Sequence, residues 1–109
     1  MKDFQIPNFN SNSNQFFLLA GPCIIENEVM PFEIASHIKQ ITDRLGIPFI
    51  FKASYDKANR TSITSFRGPG LENGIDILRR IKEELDIPVI SDVHTPGEVE
   101  KASEILDIL

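Results

Sequence analysis

The sequence holds one cysteine, so no disulfide can close within the chain, and a reducing, cytoplasmic setting is the default expectation. Basic side chains are outnumbered, 11 against 16 acidic, for a formal charge of −5. That acidic excess argues against nucleic-acid and membrane partners while leaving room for a local basic cluster. No apolar run approaches the roughly 18–20 residues that cross a bilayer. Met1-Lys2-Asp3-Phe4 opens no apolar run with a small-residue cleavage site, so a secretory signal is not expected. What is present is ordinary for a globular chain: 109 residues, 41% hydrophobic and 25% charged. This length suits one small domain or part of one.

Residues 1–15 are polar and rich in Asn and Ser, and are read as a lead-in. Phe16 to Ala20 is a continuous apolar run closed by Gly21-Pro22, which suits a strand buried on both faces. A helix is expected from Asn27 or Glu28 to Leu45, with Ile34, Ile38, Ile41 and Leu45 as one apolar stripe and Gly46 as its stop. Ile47 to Phe51 reads as a second strand, and Lys52 to about Gly70 as a polar loop. Leu71 to Leu85 reads as a second helix, Ile87 to Ile90 as a third strand, and Pro96 to Ser103 as a short helix. Ile105 to Leu109 reads as the beginning of a fourth strand.

The segment Leu45-Gly46-Ile47-Pro48-Phe49-Ile50 is echoed by Leu85-Asp86-Ile87-Pro88-Val89-Ile90. Each copy joins a helix end to a strand whose proline sits at the entry, where a missing N–H does least harm. The alternation predicts an α/β fold with parallel strands and right-handed crossovers. An open doubly wound sheet and the N-terminal part of a (β/α)8 TIM barrel both fit, and both put function at the carboxyl ends of the strands. Unusual polar residues follow three successive strands, which favours the barrel. A barrel needs about 250 residues, so residues 16–109 are read as its truncated first half.

The densest chemistry lies in Lys52-Ala53-Ser54-Tyr55-Asp56-Lys57-Ala58-Asn59-Arg60-Thr61-Ser62. Arginine grips phosphate through a fork of donors and lysine as a point charge, while hydroxyls and amides complete an oxygen shell. Lys52, Lys57 and Arg60 at one strand end in an acidic chain suggest an anionic substrate; the alternative is a solvated loop. Arg67-Gly68-Pro69-Gly70 allows close backbone approach before the helix at Leu71, or is a simple turn. Cys23 fits a packed small hydrophobe, a metal ligand or a nucleophile with His94 as base. Asp92 and His94, two apart at a strand end, project to the same side and suit hydrogen bonding or proton transfer; a surface pair is the alternative. His37 falls mid-helix among polar neighbours and is expected at the surface.

Together and in this order, these segments resemble the 3-deoxy-D-manno-octulosonate 8-phosphate synthase family. Phe51 to Ser62 is similar to its signature, and Ser65-Phe66-Arg67-Gly68-Pro69-Gly70-Leu71-Glu72 and Asp92-Val93-His94 match in register from there on. The resemblance runs from about Phe17 to Leu109. It implies a cytoplasmic (β/α)8 enzyme, usually a homotetramer, that condenses phosphoenolpyruvate with D-arabinose 5-phosphate in lipopolysaccharide synthesis. By position, Lys52, Ser54 and Lys57 would hold phosphoenolpyruvate, with Lys57 also suited to proton traffic or charge stabilisation. Asn59, Arg60 and Thr61 would grip the sugar phosphate, Arg67 would join the substrate-binding set, and Asp92 and His94 would line the pocket floor and take part in catalysis. Thr61 stands where the family often has Ser and keeps the hydroxyl.

Gly21-Pro22-Cys23-Ile24-Ile25-Glu26 resembles the metal-dependent type, which implies a divalent Fe, Zn or Mn held by Cys23 and by His, Glu and Asp ligands outside this chain. The related 3-deoxy-D-arabino-heptulosonate 7-phosphate synthase is the nearest rival. It typically shows Lys-Pro-Arg-Thr-Ser where this chain has Lys57-Ala58-Asn59-Arg60-Thr61-Ser62. A non-catalytic sugar-phosphate-binding remnant is the alternative from another class. These 109 residues by themselves are expected to be inactive and poorly folded.

Overall fold

A computed structural model describes residues 16–57 and 68–109. Leu18–Ala20 (β1) pairs in parallel with Phe49–Lys52 (β2), and β2 pairs in parallel with Val89–Ile90 (β3), so spatial order follows chain order. Leu18 stands opposite Phe49 and Ala20 opposite Phe51; Phe51 stands in turn opposite Val89 and Lys52 opposite Ile90. Met30–Leu45 (α1) links β1 to β2, Leu71–Leu85 (α2) links β2 to β3, and Pro96–Ser103 (α3) follows β3. The alternating, parallel α/β architecture expected from the sequence is the one observed.

The local causes are legible. Before α1, the Asn27 side-chain oxygen accepts the N–H groups of Val29 and Met30 at 2.9 and 2.7 Å, satisfying donors that a helix start leaves open. This turn delays the helix to Met30, later than the expected Asn27 or Glu28, and leaves Pro31 in the first turn, where its missing N–H costs nothing. The chain leaves α1 through Gly46 at φ +68 and leaves α2 through Asp86 at φ +52. The sequence echo is therefore a conformational one: both copies use a left-handed residue to turn the helix back toward a strand, and Asp is among the residues that tolerate it.

The core lies between the sheet and α2. Phe49, Ile50 and Phe51 of β2 are buried, as are Ile75, Ile77, Leu78 and Ile81 of α2 and Val89 of β3. Each such side chain contributes about 1.5–3 kcal/mol on leaving water. Asp107, nearly buried, accepts the Val89 N–H at 2.9 Å and a Lys82 ammonium hydrogen at 3.0 Å, tying the start of β3 to α2.

Three expectations need correction. The run Phe16 to Leu19 is not buried on both faces: Phe16 is 71% and Leu19 47% exposed. β1 is an edge strand with one paired neighbour, and among the described residues nothing covers its free side. On α1 the buried face is Pro31, Ala35 and Thr42, with Ile38 partly buried, while Ile41 and Leu45 are exposed. Ile34 and Ile38 of the expected stripe do pack, partly buried, against the core, so the stripe is turned only about 60° from the packed face and fails at Ile41 and Leu45. The segment Ile105 to Leu109 begins as a turn, with Ile105 and Leu106 donating to the Ala102 carbonyl, and meets β3 through hydrogen bonds between Asp107 and Val89 and an isolated parallel Ile90–Ile108 bridge rather than as a strand. Residues 1–15, read as a lead-in, lie outside the described residues. Among the described residues, no helix is long and apolar enough to cross a membrane.

Candidate functional site

Beyond the carboxyl end of β2 the chain stays extended through Ala53 and Ser54, and Ser54 is fully buried. Its backbone pairs with the segment after β1: Ile24 bridges Ser54 in parallel, and the Ile25 N–H donates to the Ser54 carbonyl at 3.1 Å. Gly21 makes this approach possible, since a β-carbon there would overlap the Lys52 carbonyl oxygen. The backbone around Cys23 is thus fastened beside the end of β2, with the residue itself exposed.

The Ser54 hydroxyl is the hub of the site. It donates its hydrogen to Asp92 Oδ1 at 2.5 Å. Its lone pairs then accept Lys57 Nζ at 2.8 Å and, at the long limit, Lys52 Nζ at 3.4 Å. Asp92 follows β3, so the hydrogen bond joins two adjacent strand ends across 38 residues of sequence. His94 Nε2 lies 3.5 Å from Asp92 Oδ2. Asp92 and His94 thus face one another, as their spacing predicted.

Burial pushes the Asp92 carboxyl upward, but the Ser54 hydrogen bond, a backbone N–H and the charges of Lys57 and His94 outweigh it, so its net shift is below the ordinary range. Two ammonium groups against one carboxylate leave the cluster formally positive, with a hydroxyl between them. Ammonium and hydroxyl donors grouped in this way are the kind that bind a carboxylate or a phosphate.

Of the residues singled out from the sequence, Lys52, Ser54, Lys57, Asp92 and His94 come together. Asn59, Arg60, Thr61 and Arg67 lie outside the described residues. Gly68 and Gly70 are described: the Gly70 N–H donates to the Tyr55 carbonyl at 3.1 Å, so this segment packs against the strand end as a turn leading into α2. His37 is exposed, as expected.

Sequence reasoning passed over three residues beside the cluster. Tyr55, fully buried, donates its hydroxyl hydrogen to Glu98 Oε1 at 2.9 Å, and Thr95 donates to Glu98 Oε2 at 2.8 Å. Burial first, then the Glu98 hydrogen bond and the charges of Glu98, Asp92 and Asp56, push the Tyr55 hydroxyl upward. The hydroxyl donors Thr95 and Tyr55 hold Glu98 below the usual carboxylate range. The available signal was the Thr95-Pro96-Gly97-Glu98 spacing, a capping-box pattern at a helix start.

A metal implied by the resemblance meets one soft donor here, the exposed Cys23. Among the described residues no three His, Cys, Asp or Glu side chains gather as a ligand set. These residues do not by themselves fit a metal.

The fold and site together define a parallel α/β protein whose strand ends gather cationic and hydroxyl groups. The comparisons narrow this. A family model described as the DAHP synthetase I family matches residues 4–109, and the chain belongs to that family. A 2-dehydro-3-deoxyphosphooctonate aldolase of Desulfatibacillum aliphaticivorans is 62% identical over 84% of this chain and 34% of its own. Proteins of the same name from Desulfosudis oleivorans and Delftia acidovorans are 59% and 52% identical, over 84% and 87% of this chain and 33% of each of theirs. The chain spans about a third of the length of these relatives.

Proposed function

We propose that the full-length protein condenses phosphoenolpyruvate with D-arabinose 5-phosphate to give 3-deoxy-D-manno-octulosonate 8-phosphate and inorganic phosphate. Three carbons and five make the eight-carbon acid, and one water is taken up as phosphate leaves. The observation that carries this reading is the Ser54 hydroxyl joined at once to Lys57, Lys52 and Asp92. The names of the relatives support the eight-carbon product.

In this reading residues 16–109 begin a (β/α)8 barrel, and its mouth is the end carrying the cluster. Lys52 and Lys57 hold the carboxylate and phosphate of phosphoenolpyruvate, with Ser54 hydrogen-bonding between them. Lys57 also steadies the negative charge that grows on the departing phosphate. Asp92, kept ionised by its neighbours, fixes the Ser54 hydroxyl, and with His94 it forms the pocket floor, where a proton can be held at Nε2. Asn59, Arg60, Thr61 and Arg67 bind the sugar phosphate. The site works in the cytoplasm, in a homotetramer, as a step of lipopolysaccharide synthesis. Cys23 supplies one ligand to a divalent Fe, Zn or Mn whose other donors come from the rest of the protein.

A coupled assay of the full-length protein with arabinose 5-phosphate and with erythrose 4-phosphate tests this. Turnover of the pentose phosphate is expected. Preference for erythrose 4-phosphate would transfer the protein to the heptulosonate branch of its family. Exhaustive chelation should abolish activity, and Cys23→Ser should weaken metal retention; full activity after chelation would count against the metal.

A further inference from the structure

We propose that Glu98 and Tyr55 are positioning residues that hold the loop Asp92–Thr95, between β3 and α3, where Asp92 can reach Ser54. This rests on the functional reading above and adds to it a pair of groups beside the Ser54–Asp92 bond.

Glu98 stands in the first turn of α3, and both of its carboxylate oxygens are taken. One accepts the Tyr55 hydroxyl from the end of β2 and the other the Thr95 hydroxyl from the loop itself. The carboxylate therefore pins the far end of the loop to β2, as the Ser54–Asp92 bond pins the near end. Tyr55 is a rigid anchor. Its carbonyl accepts the Gly70 N–H, and its side chain lies so close to α2 that a β-carbon on Gly74 would overlap it.

The ring of Tyr55 also places His94. The two rings meet edge to face, with centroids 5.4 Å apart at 73°. His94 Nε2 is buried and finds no hydrogen-bond partner among the described residues, so ring packing, rather than a hydrogen bond at Nε2, keeps it 3.5 Å from Asp92. Thr95 gives independent support. As the N-cap of α3 it forms no side-chain bond to the helix backbone. A Thr in that position ordinarily caps; here its hydroxyl is diverted to the Glu98 side chain.

The test uses the full-length enzyme, with steady-state kinetics and thermal melts of Glu98→Ala, Glu98→Gln, Tyr55→Phe and the double variant Tyr55→Phe/Glu98→Ala. Glu98→Ala and Tyr55→Phe should each lower kcat about tenfold, the size of one charge-assisted hydrogen bond, with KM for phosphoenolpyruvate within about threefold. The double variant should be no worse than the poorer single one, because both remove the same bond. Glu98→Gln, whose amide oxygen still accepts from Tyr55, should recover most of the loss. Should Glu98→Ala fail to fold, Tyr55→Phe against Glu98→Gln carries the comparison. Variants within twofold of wild type, multiplying losses, or a Glu98→Gln enzyme as impaired as Glu98→Ala would overturn the inference alone. A wild type that turns over neither aldose phosphate would overturn the functional reading and this one with it.

Discussion

Replacing Ser54 by Ala removes one oxygen and disconnects three charged side chains. The two short contacts, at 2.5 Å to Asp92 and 2.8 Å to Lys57, are charge-assisted, while the 3.4 Å contact to Lys52 counts for little. Bonds of that kind contribute about 1.5–3 kcal/mol each. Asp92 is 44% exposed on its side chain, so water replaces part of what it loses. The net loss is then about 1.5–3 kcal/mol, which corresponds to roughly ten- to hundredfold weaker phosphoenolpyruvate binding. The fold should suffer much less, because the variant leaves a methyl group in an otherwise unchanged core. Calorimetric titration of phosphoenolpyruvate into full-length wild type and Ser54→Ala, with parallel melts, reads both quantities. Binding within twofold of wild type in a normally folded variant would refute the role of the hydroxyl as the hub.

Gly21→Ala forces a β-carbon against the Lys52 carbonyl and should cost about 1–3 kcal/mol in denaturant melts, whereas Gly97→Ala, which meets nothing within 4 Å, should be neutral or slightly stabilising. Asp107→Ala strands the Val89 N–H and leaves the Lys82 ammonium group with the Ile105 carbonyl and water, and should cost about 1–3 kcal/mol by the same measurement. Asp92 and Glu98 both lie below the usual carboxylate range, so the stability they contribute is complete above the ordinary carboxylate range, about pH 5, and is lost as the pH falls through it and below; Glu98→Gln should flatten part of that acid loss in Tm. Tyr55 shifts the other way, so its contribution is complete below about pH 10 and declines as the pH rises above it; Tyr55→Phe should flatten part of the alkaline loss.

Helices α2 and α3 run over the residues the sequence indicated, Leu71–Leu85 and Pro96–Ser103, because their ends carry local signals. Pro96 can only begin a helix, and Leu85-Asp86 repeats the exit seen at Leu45-Gly46. The faces were less legible. A continuous apolar run states that a strand can be buried, and for Phe49 to Phe51 it is. The similar run at Phe16 to Leu19 lies at the sheet edge, where burial depends on a neighbour that a local pattern does not contain. On α1 two overlapping stripes share Ile38, and periodicity alone did not decide that Pro31, Ala35 and Thr42 face the core.

The site divides along the same line. Lys52, Ser54 and Lys57 fall within six residues, so their meeting needs only an extended strand end and one turn. Asp92 and His94 needed only the two-residue period of an extended backbone. That Ser54 would donate to Asp92 followed from nothing local: it requires β2 and β3 to be adjacent and in parallel register, which the echoed helix exits and the α2 crossover bring about. The Tyr55–Glu98 bond spans 43 residues and depends on that same adjacency. A buried tyrosine hydroxyl must find an acceptor, and a carboxylate in the first turn of a helix is placed to offer one. Each group states a need in the sequence, and only the parallel sheet shows that they answer one another.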